Sequence, residues 1–117
     1  MLMRVITGKL KPGTWDDFER AYTEVITEVG VIPGLRGRWL AHDAEDPDAG
    51  VTISLWDSAA ALDAYERSPT LRDTINPRLN PFFTGSYATR RCVVTHTLHV
   101  EDGSSRASDA GPTTPPG

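Results

Sequence analysis

Apolar residues in MRVITGKLK (3–11) form a β-branched run that stops at Pro12-Gly13, the pattern of a strand followed by a turn. The period then changes. Phe18, Tyr22, Val25, Ile26 and Val29 recur three and four apart, which places them on one stripe of a helix. Thr14 stands at the N-cap position, and Asp16 and Asp17 occupy the first turn, where the helix dipole favours acids. Gly30 and then Pro33-Gly34 close that segment. Alternation returns in LRGRWLAHD (35–43): Leu35, Gly37, Trp39 and Ala41 fall on one face, Arg36, Arg38, Leu40 and His42 on the other. The acidic turn AEDPDAG (44–50) is short enough to make VTISLW (51–56) the hairpin partner of that strand. Ser58 caps the helix AAALDAYER, in which Leu62 and Tyr65 share a face. Ser68-Pro69 starts a further short helix carrying Leu71, Ile75 and Leu79, interrupted by Pro77 and Pro81. A long last strand is expected over SYATRRCVVTHTLHV (86–100).

The element order is β-α-β-β-α-β. Helix-connected strands cross over right-handed and the middle two form a hairpin, which gives a four-stranded antiparallel sheet with both helices on one face. This is an α+β, ferredoxin-like arrangement, and it leaves the other face bare. An apolar sheet face needs a cover, and the last strand is longer than one subunit can pair. A homodimer stacked sheet to sheet, with the last strands reaching across, satisfies both demands.

Composition narrows the picture. The chain has 117 residues, room for one domain. Residues 1–100 form that domain; EDGSSRASDAGPTTPPG (101–117) lacks the apolar content to offset the entropy of ordering and is expected to be a disordered tail. Net charge is −4, and basic residues are scattered apart from the Arg36/Arg38 and Arg90/Arg91 pairs, so no stripe exists to track a phosphate backbone and no nucleic-acid partner is expected. Apolar runs are too short to span a bilayer and MLMRVITG too short for a signal peptide, so no membrane association and a cytoplasmic location are expected. The single cysteine, Cys92, forbids an internal disulfide and reads as a packed thiol in a strand.

Candidate chemistry is sparse. His96 and His99 are three apart on a strand and face opposite ways, so they form no chelating pair, and His42 beside the acidic turn reads as exposed. Asp43, Glu45, Asp46 and Asp48 lack the spacing of a calcium loop and read as a solvated hairpin tip. No metal site is expected. Trp56 reads as a wedge between strand and helix. Tyr65 has a polar tip that needs a partner if buried, Tyr22 and Phe18 read as packing residues, and Arg38 could hold an anion or a surface carboxylate. Arg38 and Trp39 face opposite ways, one toward a cavity and one toward an interface; alternation alone does not say which.

KPGTWDDF, PGLRGRWL, ISLWDSAAALDAY and FFTGSYATRRCVV resemble the antibiotic biosynthesis monooxygenase superfamily of small dimeric α+β barrels, over residues 3 to 100. The resemblance implies a cavity between helices and sheet. It also implies a cofactor-independent monooxygenase that oxidises a small aromatic or polyketide-like, quinol-type substrate with O₂, using neither metal nor flavin. In that reading Tyr65 and Trp56 are the catalytic candidates, and Thr7, Tyr22, Arg38, Trp39 and Thr74 bind substrate. Haem-degrading members of the superfamily carry an Asn, a Trp and an iron-ligating His where this chain has Thr7, Tyr65 and Thr74, which counts against haem chemistry. A non-catalytic dimeric ligand-binding or stress-response module remains the alternative, with the same aromatics merely packing.

Overall fold

The computed structural model describes residues 1–85, 87–98 and 100; the tail expected at 101–117 lies outside them. Strand β1 (Leu2–Lys9), helix α1 (Trp15–Val29), strands β2 (Leu35–His42) and β3 (Ala49–Trp56), helix α2 (Ala59–Glu66) and strand β4 (Ala88–Val93) follow in the expected order. Between α2 and β4 the chain runs through a π-helical segment (Thr70–Ile75), a short helix α3 (Asn76–Leu79) and a 3₁₀ turn (Asn80–Phe82). The sheet order is β2-β3-β1-β4 and every neighbouring pair is antiparallel, the ferredoxin-like α+β topology. Among the described residues no helix is long and apolar enough to cross a membrane.

Local chemistry accounts for most element boundaries. Ser58 Oγ accepts from the Ala61 N–H at 3.1 Å, and Ser68 Oγ accepts from the Leu71 N–H at 3.2 Å, so both serines cap as their positions suggest. Thr14 does not: its hydroxyl donates to the Lys11 carbonyl at 2.7 Å and leaves the first turn of α1 to Asp16 and Asp17. The β2 register shifts between Leu35 and Gly37. This bulge turns Leu35 inward, opposite Trp56 and against the core, and leaves Arg36 outside, paired with Asp57 at 2.7 Å. Strict alternation alone places Leu35 on the face of Trp39.

Register sorts the inner face into rows. Leu2, Trp56, Leu35 and Val93 lie abreast at one end; next come Arg4, Ser54, Arg38 and Arg91; then Ile6, Thr52, Leu40 and Thr89; then Gly8, Gly50 and His42. Helices cover this face. Phe18, Tyr22 and Val25 of α1, Leu62 and Tyr65 of α2, and Leu71, Ile75 and Leu79 beyond it are buried with Trp56 and Leu10. The outer face carries Met3, Val5, Ile53 and Leu55, partly exposed, and Trp39, 53% exposed with its ring lying over Gly37. Nothing within the described residues covers it.

The last strand is shorter than expected. Pairing ends at Val93, one backbone bond from the Val94 N–H to the Met1 carbonyl follows, and Thr95–Leu98 form no strand. β4 is an edge strand whose six residues are all exposed, and Cys92 is exposed with them rather than packed. His96 is exposed outside any strand, and His99 falls outside the described residues.

Candidate functional site

The cavity between sheet and helices exists because two strand positions carry no side chain. A Cβ on Gly50 would stand 2.5 Å from the Trp15 ring, and one on Gly8 would stand 2.7 Å from the Phe83 ring. Glycine at both lets two aromatic rings lie on the sheet and wall its open end. Phe18 joins them, 5.7 Å from Trp15 and 5.6 Å from Phe83 between ring centres. The π-helical segment and α3 close the top with Leu71, Ile75 and Leu79. About 70 Å³ remains inside. A more open hollow of about 440 Å³ adjoins it through the shared walls Trp15, Tyr22 and Leu40, with His42 stacked edge-on to Trp15 at its rim.

The other end is cationic. Arg4, Arg38 and Arg91 share one row of the sheet, and two carboxylates of α2 answer only two of them. Arg4 Nε donates to Glu66 at 2.8 Å, and Arg91 Nη2 donates to Glu66 at 2.6 Å and to Asp63 at 2.7 Å. Burial would raise the Glu66 pKa, but the hydrogen bonds from Arg91 and Arg4 outweigh it and hold the carboxylate below its ordinary range. Arg38 makes no ion pair among the described residues. Its Nε and Nη2 and the Tyr22 hydroxyl are buried without a well-aligned hydrogen bond there, although the Tyr65 and Tyr22 oxygens lie near enough to Arg38 to act on its pKa. Each buried polar group left without a partner costs about 1–3 kcal/mol. Burial pushes the Tyr22 phenol pKa up, opposed in part by Arg38, so the phenol keeps its proton.

Tyr65 sits at the centre of this end. The Arg4 and Arg38 guanidinium carbons lie 5.8 and 5.7 Å from its ring centre, within cation–π range, and Trp56 stacks on it at 4.8 Å. Trp56 itself is fully buried and does not line the cavity; its indole N–H donates to Ser54 Oγ at 2.8 Å, satisfying a buried serine.

Of the residues singled out from sequence, Tyr65, Tyr22 and Arg38 meet in the cavity. Trp56 supports Tyr65 from behind. Thr7 and Trp39 stand on the outer face, and Thr74 in the π-helical segment is not part of the lining. Sequence reasoning missed Trp15, Phe83, Gly8 and Gly50, although an isolated glycine inside a strand is a recognised sign of close approach. It also missed Arg4 as the second cation beside Tyr65.

The family model for antibiotic biosynthesis monooxygenase matches residues 1–77. A curated relative, Protein SchA of Streptomyces halstedii, is 25% identical over 104 residues, which is 89% of this chain and 27% of that protein. The chain therefore spans about a quarter of its length. A mutant of SnoaB, a cofactor-independent oxygenase from Streptomyces nogalater, superposes with a TM-score of 0.70 at 15% identity, covering 83% of this chain and 95% of that one. A mutant of MhuD with two manganese protoporphyrin IX bound per active site superposes with a TM-score of 0.72 at 18% identity, covering 86% of this chain and 100% of that one. At these identities the two structures speak for the fold.

Proposed function

The chain belongs to the antibiotic biosynthesis monooxygenase family, and from that premise we propose that its cavity binds a small oxygen-bearing aromatic compound and that the protein oxidises it with O₂ without a bound cofactor. One observation carries the reading: in the aromatic-walled cavity Arg38 makes no ion pair with a carboxylate of the described residues and lies beside a protonated Tyr22. Oxidation by O₂ alone requires an electron-rich, ionised substrate. Arg38 and Tyr22 would stabilise that anion where water is excluded, and Tyr65 would hold the ring. An anthrone methylene taken to a carbonyl by one O₂ releases one water, so the balance needs no outside reductant.

Oxygen-electrode assays with hydroquinones and anthrones test this. Uptake is expected with a member of the panel, reduced on the order of a hundredfold in Arg38→Gln, the scale of losing one preorganised anion donor, and lowered in Tyr65→Phe. Uptake unchanged in both variants, or absent across the panel, would refute it.

A porphyrin does not suit these residues. The inner cavity of about 70 Å³ is far below the size of a macrocycle, and no histidine lines it. A second reading, binding without catalysis, draws on the same volume, which is smaller than the roughly 150 Å³ that holds benzene in an engineered core. A bicyclic substrate would have to displace Trp15 or remain partly in the adjoining hollow. We also propose a homodimer closed over Met3, Val5, Ile53, Leu55 and Trp39, because an apolar sheet face of this kind needs a cover.

A further inference from the structure

We infer that the ligand of this cavity carries a carboxylate, gripped through both oxygens by the Nε/Nη2 edge of Arg38, with the Tyr22 hydroxyl as a third donor. This rests on the cavity being a ligand site and is independent of whether the ligand is oxidised. The two unpartnered nitrogens are those whose N–H bonds run parallel along one side of a guanidinium. Their spacing matches the two oxygens of a carboxylate. A single phenolate oxygen can engage only one of them, whereas a carboxylate engages both. An alcohol or ketone would leave the charge unanswered in a place where burial and its aromatic neighbours keep water thin.

The neighbours of Arg38 make the same point. In its row, Arg4 meets Glu66 and Arg91 meets Glu66 and Asp63, all carboxylates supplied by α2. Arg38 stands in the same row on the far side of Ser54 from Arg4, and it makes no ion pair with an acid of the described residues. Space agrees. A carboxylate is three heavy atoms, small enough for an inner cavity of about 70 Å³, while the body of the ligand can lie in the adjoining hollow between Trp15, Tyr22 and Leu40. The ligand then enters acid first and leaves its apolar part against Trp15 and Phe18.

Benzoate, with benzamide as its uncharged isostere and phenol as the single-oxygen control, tests the assignment by titration followed by NMR. Benzoate is expected to bind about tenfold or more tighter than benzamide, the margin of one charge-assisted contact, and tighter than phenol. Arg38→Gln should erase the preference, and Arg38→Lys should not restore it, since a lysine keeps the charge and loses the fork. Tyr22→Phe should weaken benzoate severalfold and leave benzamide little changed. Equal binding of benzoate and benzamide to the unaltered protein, or a preference that survives in a folded Arg38→Gln, overturns the inference. Benzoate preference without O₂ uptake on any substrate would leave this inference standing and remove the oxygenase reading; uptake without benzoate preference would do the reverse.

Discussion

Replacing Trp56 by phenylalanine distinguishes a wedge from a pocket wall. Trp56 is fully buried, stacked on Tyr65, and gives its N–H to Ser54 Oγ at 2.8 Å, the one hydrogen bond that Ser54 side chain makes among the described residues. Exchanging indole for phenyl leaves a void of roughly 40 Å³, which at about 24 cal/mol per Å³ costs about 1 kcal/mol. The stranded Ser54 hydroxyl adds about 1–3 kcal/mol. A total of about 2–4 kcal/mol corresponds to a drop in melting temperature of roughly 10–30 °C for a domain of this size. Ser54→Ala in the Trp56→Phe background should then cost about 1 kcal/mol less than in the unaltered protein, because no hydroxyl remains to strand. Urea denaturation of the four proteins at one fixed concentration measures the cycle, since association would shift apparent stability. A coupling near zero would refute the claim that Ser54 and Trp56 act as a buried pair. Trp56→Phe that keeps full stability while losing ligand binding would refute the wedge.

Three further outcomes follow from the geometry. Glu66 has its pKa held below the ordinary 4.5 by Arg91 and Arg4 against the opposing pull of burial, so its ionised form stabilises the fold above that pH and the contribution is lost as pH falls through the depressed value; the gap in urea midpoint between the unaltered protein and Glu66→Gln should be widest near neutrality and close in acid. Gly50→Ala places a Cβ 2.5 Å from the Trp15 ring and 3.0 Å from the Ala41 carbonyl oxygen, and should cost about 1–3 kcal/mol by overpacking while shifting Trp15 fluorescence. Ile53→Lys on the open sheet face should yield a folded monomer in sedimentation velocity where the unaltered chain sediments as a dimer; a monomeric unaltered chain would refute the proposed assembly.

Periodicity carried much of the fold. The stripe of α1 held because Phe18, Tyr22 and Val25 face the core, and the β2–β3 hairpin held because its loop is short. Two features escaped it. The bulge at Arg36 flips Leu35, which pure alternation cannot register, and the end of β4 depends on its partner strand: β1 begins at Leu2, opposite Val93, and beyond that pair only the Val94 N–H finds a bond, to the Met1 carbonyl. The site was legible only where local pattern and cavity coincide: Tyr22 and Tyr65 lie on helix faces turned inward, and Arg38 alternates with Trp39. Which of that pair faces inward depends on pairing with Ser54 and on the bulge, both long-range facts. Thr7 and Trp39 alternate onto the open face for the same reason. The isolation of Arg38 was invisible from sequence, because it follows from Glu66 and Asp63 being consumed by Arg4 and Arg91 across the fold.

The most direct test follows the arginine Nε–H signals of ¹⁵N-labelled protein while a hydroquinone that supports O₂ uptake is added. The signal lost in Arg38→Lys should move and saturate, while those of the surface residues Arg36 and Arg72, engaged with Asp57 and Asp73, stay in place. A ligand that is turned over yet leaves the Arg38 signal unmoved, or moves the surface arginines equally, would contradict the placement of the site beneath the helices.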